Sequence, residues 1–245
     1  MPYVMSVTKA GKTVEVEKYY TFRYKAKGVK RGETKNPTSE EQEKINLRQA
    51  EKKLRRRINA NFGKGDFHII FDYRKEERPH TKEEMRKDLN KALRKLRGEF
   101  KKQGRELKYI QVAEIGSKGA IHHHLVINYI DTRILQKCWI KGRVKVFPLD
   151  DTGQYGELAA YLIKYTSKSK ELQGKKWNAS KNLIIPEPKI TIVSHREWFR
   201  TNVIPKKGYY IDKNSIKKGI SKFTGYGYLS YTMIKIPNGT VRKLE

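Results

Sequence analysis

The stretch Glu114-Ile115-Gly116-Ser117-Lys118-Gly119-Ala120-Ile121-His122-His123-His124-Leu125 decides how this chain is built. Leu107 to Ile115 reads as a strand, Gly116 to Gly119 as a turn, and Ala120 to Asn128 as a second strand. Two strands joined this closely form a hairpin, so the sheet is antiparallel at this point. Side chains alternate along a strand, which puts His122 and His124 on one face and His123 on the other. The turn sets what stands opposite. With Ser117-Lys118-Gly119 as a three-residue loop and Gly119 left-handed, Gly116 faces Ala120 and Glu114 faces His122. Their β-carbons are then roughly 5 Å apart. A four-residue loop would slip the register by one and send Glu114 to the wrong face.

Two imidazoles and one carboxylate with open coordination positions suit a divalent cation such as Mn²⁺ or Mg²⁺ that must also hold a phosphate oxygen. Glu114, His122 and His124 are the candidate ligands. A structural zinc site wants four closed ligands, and the single cysteine, Cys138, argues against one. Three consecutive histidines can also be an accident of a polar strand. Against that, half of the chain's six histidines crowd into this one.

Outward from the hairpin, Phe67 to Tyr73 is short, apolar and aromatic, and reads as a buried strand. Thr81-Lys82-Glu83-Glu84 is a capping box, and the helix it opens carries Met85, Leu89, Leu93, Leu96 and Phe100 as one stripe. Gly104 ends it. A short helix over Asp131 to Cys138, a strand over Arg143 to Phe147 and a helix over Tyr155 to Lys168 follow. Leu183 to Ile185 and Ile190 to Val193 read as short strands, and the Tyr- and Gly-rich tail from Trp198 adds strands around a second small unit. Upstream, Thr13 to Tyr24 is strand-like, Lys25 to Ser39 a loop, and Ser39 to Ala60 a charged helix containing EKKLRRR. Strands and helices alternate without a regular βαβ rhythm. The expected class is therefore α+β: a central antiparallel sheet with helices on one face, in residues 66–200, flanked by basic extensions at 1–65 and 201–245.

Charge narrows the partner. Lys+Arg number 55 and Asp+Glu 26, a formal net charge of +29, which calls for a polyanion. No stretch approaches the roughly 18 apolar residues that span a bilayer, the first residues lack the apolar core of a signal peptide, and one cysteine fits a reducing cytoplasm. Nucleic acid is the expected partner. Arg55, Arg56 and Arg57, with Lys118 in the turn, are candidate DNA contacts. Basic charge interleaved with 15 tyrosines suits stacking on unpaired bases, although most tyrosines in such a chain fill strands.

Two tyrosines stand apart. On the helix Tyr155 to Lys168, Leu158, Ala159, Leu162 and Thr166 form an apolar arc at about 100° per residue. Tyr161 and Tyr165 lie together at its edge, one turn apart, with Lys164 and Lys168 just beyond. A phenol, with its pKa near 10, is a poor nucleophile at neutral pH. Neighbouring cations favour the phenolate, and a metal-bound phosphate is a better target. Taken alone, YxxKYxxK is more often ordinary helix-edge packing.

His122-His123-His124 resembles the His-hydrophobic-His (HUH) motif, with His123 in the hydrophobic slot, and Tyr161 to Lys168 is similar to the paired-tyrosine motif of rolling-circle replication initiators from single-stranded DNA phages. Phe67 to Tyr73 sits where that family has its first strand motif. The resemblance implies a five-stranded, RRM-like HUH-endonuclease sheet and a divalent metal. It also implies a tyrosine that nicks one strand of single-stranded origin DNA, giving a 5′-phosphotyrosine and a free 3′-hydroxyl, and a second tyrosine that cuts again and rejoins. The tyrosines follow the histidines, as in replication initiators and unlike conjugative relaxases. Tyr165, followed by Thr-Ser-Lys as in single-tyrosine viral relatives, is favoured as first nucleophile, and both can act. No GxxxxGK[ST] motif is present, so a host helicase and polymerase are the expected partners in a bacterial cytoplasm. The alternatives are a single-strand transposase of the same superfamily, a non-catalytic single-strand binder, a nuclease in which water attacks, and a ribosome-associated basic protein.

Overall fold

A computed structural model describes residues 2–22, 24, 40–116, 120–168, 176–198, 202–221 and 224–237, without the side chains of 165–168, 195 and 198. The chain divides into two units, Glu40–Ile185 and a second made of Met1–Ser39 with Pro186–Glu245. Expected boundaries lay at 65/66 and 200/201. The difference has a physical origin: the segments before residue 40 and after residue 185 pair with each other in one sheet.

In the unit Glu40–Ile185, five strands are β3 (Phe67–Asp72), β4 (Tyr109–Ile115), β5 (Ile121–Ile127), β6 (Val144–Pro148) and β7 (Asn178–Ala179). They form one antiparallel sheet in the order β6-β3-β5-β4-β7, so the histidine strand lies at its centre. Helices α1 (Glu40–Asn61), α2 (Lys82–Lys102), α3 (Thr132–Cys138) and α4 (Gly156–Lys168) complete it. The α+β class and the five-stranded antiparallel sheet agree with expectation. The helices cover both faces of the sheet, where one was expected.

On one face, Phe67, Ile69 and Phe71 of β3 and Leu125 and Ile127 of β5 pack against Leu89, Leu93, Leu96 and Phe100 of α2. These are the stripe residues, and the capping box starts their helix. Thr81 Oγ1 accepts from the Glu84 N–H at 3.1 Å, and the Glu84 carboxylate accepts from the His80 N–H at 2.8 Å. On the other face, Ile110, Val112 and Val126 meet Leu54, Ile58 and Phe62 of the α1 segment and Ala159, Leu162 and Ile163 of α4. Leu54 and Ile58, one turn apart in an otherwise charged run, give α1 an apolar stripe just wide enough to dock. That narrow stripe is why α1 belongs to this unit rather than to an extension.

Leu183 to Ile185 is not a strand. The Asn61 carboxamide takes both backbone groups of Ile184, accepting from its N–H at 2.7 Å and donating to its carbonyl at 2.8 Å. A side chain thus replaces the partner strand.

The second unit is an antiparallel sheet in the order β8-β1-β2-β10-β9, built from β1 (Tyr3–Ala10), β2 (Thr13–Tyr20), β8 (Lys189–Ile192), β9 (Tyr209–Ile220) and β10 (Gly227–Lys235), with the short helix α5 at His195–Trp198. Its core is Val14, Val16 and Met233. The two-residue turn between β1 and β2 uses Gly11 at φ 59°, a conformation that glycine adopts without steric cost. Among the described residues no helix is long and apolar enough to cross a membrane.

Candidate active site

The register that the hairpin required is present. Glu114 pairs with His122, and Gly116 donates to the Ala120 carbonyl at 2.8 Å. Residues 117–119, including the candidate DNA contact Lys118, lie outside the described residues. On the α1/α4 face of the sheet, His124 Nε2 lies 2.8 Å from Glu114 Oε2. Both are nearly buried, at 3% and 8% exposure.

Strand β3 contributes two groups that sequence reasoning did not single out. His68 Nε2 lies 3.1 Å from His124 Nδ1, and Asp72 Oδ1 lies 2.6 Å from His122 Nδ1. Asp72 stands directly opposite His122 in the β3–β5 register, and its second oxygen meets Lys145 Nζ of β6 at 2.7 Å. The signal was present in FHIIFD, where residues 68, 70 and 72 share a face. Only the pairing of β3 with β5 makes that face the histidine face.

Charge in the cluster follows from burial. Desolvation, with the neighbouring imidazoles adding to it, pushes His68 and His124 down to about 4, so both rings are neutral at pH 7. Burial acts to raise the Asp72 carboxyl, but hydrogen bonds from Lys145 and His122 outweigh it and hold it below the ordinary carboxylate range. A carboxylate only accepts, so His124 Nε2 carries the proton toward Glu114. His124 Nδ1 then accepts from His68 Nε2.

Imidazole and carboxylate are donor types that a divalent cation takes. His122 Nδ1 is held from behind by the Asp72 carboxylate, the arrangement that fixes metal-binding histidines, whereas His124 Nδ1 meets His68 and ligation through its Nε2 requires the proton between them to reverse. Both Nε2 atoms lie toward β4: that of His124 on Glu114, that of His122 beside Gly116, where a β-carbon would sit 3.4 Å from it. Among the described residues no group of three His, Cys, Asp or Glu side chains stands in a ready-made ligating arrangement. His124 and Glu114 bond each other, and ligation requires that contact to open.

His123 faces the other side, as alternation requires. It is fully buried, its Nε2 3.1 Å from the Tyr73 hydroxyl and its ring edge-on to Trp139 at 5.7 Å. Desolvation lowers it to about 3.

Helix α4 enters the site at a fixed position. Asn59 of α1, buried, accepts from the Tyr155 N–H at 3.0 Å and donates to Gln154 at 3.1 Å, locking the start of α4. The buried arc is Ala159, Leu162 and Ile163, with Leu158 partly covered. Tyr161 then stands edge-on to His124, with ring centroids 5.6 Å apart at 73°, and 6.2 Å from the His68 ring. It is 37% exposed. Lys164 is exposed on the same helix, and the side chains of Tyr165 and Lys168 lie outside the described residues. Arg55, Arg56 and Arg57 of α1 are half-buried. The Arg57 guanidinium lies 5.0 Å over the Trp177 ring, and the Arg55 stem lies against Gly156. Cys138 is buried, and burial pushes its thiol up.

Residues 73–170 match the family model of the replication-associated protein ORF2/G2P. The matched span carries the histidine hairpin and the tyrosine helix together, and leaves His68 and Asp72 just outside it. No curated protein and no solved structure matches the chain. Similarity to a replication-associated family over the histidine hairpin and the tyrosine helix supports a role in DNA replication.

Proposed function

We propose that this chain is a divalent-metal-dependent endonuclease that nicks single-stranded origin DNA with a tyrosine nucleophile and rejoins strands, initiating rolling-circle replication. One observation carries the reading: Tyr161, from a helix some forty residues downstream, stands beside the His124–Glu114 pair on the same face of the sheet. Glu114, His122 and His124 would hold Mn²⁺ or Mg²⁺. Held there, such an ion would supply Lewis-acid chemistry, lowering the charge on the scissile phosphate.

The chain's own residues supply the rest. The tyrosine hydroxyl attacks phosphorus and gives up its proton as the new O–P bond forms. The P–O3′ bond breaks, and the departing 3′ oxygen takes up a proton. The products are a 5′-phosphotyrosine and a free 3′-hydroxyl, and the ester keeps the bond's energy for rejoining. Packing of α4 on α1 holds Tyr161 in place, and Lys164, one turn on and exposed, adds positive charge. Tyr161, the ring beside His124, and Tyr165, one turn later, are the two nucleophiles in this reading. Lys168, Arg55, Arg56, Arg57 and Lys118 are proposed phosphate contacts.

The test is a denaturing gel with labelled single-stranded DNA and Mn²⁺. A band at the mass of protein plus DNA is expected. It should disappear in Tyr161→Phe/Tyr165→Phe and in His122→Ala/His124→Ala, while the single tyrosine variants identify which residue starts. Cleavage that survives the double tyrosine variant would move the chemistry to an attacking water and overturn the proposal.

A further inference from the structure

The edge strand β6 presents Arg143, Lys145 and Phe147 toward the candidate site. In register, Phe147 lies opposite His68 and Lys145 opposite Ile70, the α1/α4 face of β3, and Arg143 continues that alternation. All three residues are exposed. Phe147 is 48% exposed, and its ring stacks on His68 at 5.6 Å and 27°. One side of the ring is therefore supported by an imidazole that itself bonds His124, and the rest of it meets solvent. A single exposed apolar residue is ordinary on a protein surface, so the stack on His68 rather than the exposure marks this ring. Flanking charge gives the position a use. An aromatic face beside two cationic side chains matches an unpaired base beside its phosphates.

We propose that Phe147 is a base-stacking platform. It receives one unpaired base of the bound strand on its solvent side, while Arg143 and Lys145 border the adjoining backbone. His68, which stands opposite Phe147, is the diagonal neighbour of His124, so the platform seats a nucleotide on the same face as the reacting phosphate rather than at a remote surface. Phe147 acts here as a positioning residue. The inference takes its strand from the nicking proposal, but the stacking itself needs no metal and no tyrosine chemistry.

The experiment uses the full chain in EDTA with single-stranded oligonucleotides carrying 2-aminopurine at each position in turn. Wild-type protein is expected to quench the fluorophore at a confined set of positions. Phe147→Leu keeps the apolar contact with His68 but has no π-face. It should abolish that quenching and weaken binding about 5- to 150-fold, the range for loss of one stacked base. Phe147→Trp should restore both. An unchanged melting temperature in Phe147→Leu separates stacking from folding. Quenching and affinity retained in Phe147→Leu, or wild-type quenching at no position, would overturn the inference. Phe147-dependent quenching without any covalent adduct in Mn²⁺ would instead sink the nicking proposal and leave this one standing.

Discussion

Replacing His68 with phenylalanine removes one hydrogen bond from the site and little else. The ring that stacks on Phe147 and lies 5.4 Å from the His124 ring is retained. What is lost is the 3.1 Å contact to His124 Nδ1, an atom on a residue only 3% exposed. A buried polar atom left without a partner costs about 1–3 kcal/mol. For a chain of this size that is a fall of about 2–12 °C in Tm. The second consequence is specific to the metal reading. Ligation through Nε2 needs the His124 proton on Nδ1, with His68 Nε2 accepting it. Losing such a partner typically costs 10- to 100-fold in metal affinity. Calorimetric titration with Mn²⁺ and thermal unfolding in EDTA measure the two effects separately. Reduced Tm with unchanged Mn²⁺ affinity would refute His124 as a ligand through Nε2. No change in either would refute the hydrogen bond.

Acid should unfold the protein through its histidine strand. His68 and His124 at about 4 and His123 at about 3 lie below the ordinary 6.5, so between roughly pH 6.5 and 4 the unfolded chain binds protons that the folded one does not. Stability is therefore complete above about pH 6.5 and falls as pH drops through that window, by at most about 1.4 kcal/mol per pH unit for each histidine. Urea midpoints at pH 7, 5.5 and 4.5 check this, and a flat profile would contradict neutral burial. Thr81→Ala removes the cap of α2 and should cost about 1 kcal/mol, read as a lower urea midpoint at unchanged m-value. Gly142→Ala should cost about 1–3 kcal/mol or more, because a β-carbon there runs into the Asp72 carbonyl and comes within 2.8 Å of the Arg74 nitrogen. Its accompanying signature is a displaced Asp72, seen as a changed His122 ring environment by NMR.

Much of the unit Glu40–Ile185 was legible because its signals are local. The stripe Met85 to Phe100 repeats every three or four residues, Thr81 and Glu84 mark where it starts, and Gly104, at φ 65°, where it stops. Period-two alternation sorted His122 and His124 from His123, and loop length placed Glu114 opposite His122. Leu183 to Ile185 misled for the opposite reason. An apolar triplet has strand propensity, but Asn61 takes up its backbone groups, and Asn61 is distant in sequence.

By itself, then, the sequence determined the hairpin and its register, the two histidine faces, the capped helix and the helix that carries Tyr161, since each depends on residues only a few positions apart. Tertiary structure decided which of these meet. The partners His68 and Asp72 come from a strand fifty or more residues away, and nothing in FHIIFD says which strand will lie beside it. The position of Tyr161 beside His124 depends on α1 docking through Leu54 and Ile58 and on Asn59 holding the start of α4. The pairing of the two chain ends into one sheet was equally out of reach. Register between distant strands is set by the whole buried face they share, a collective quantity that no local pattern encodes.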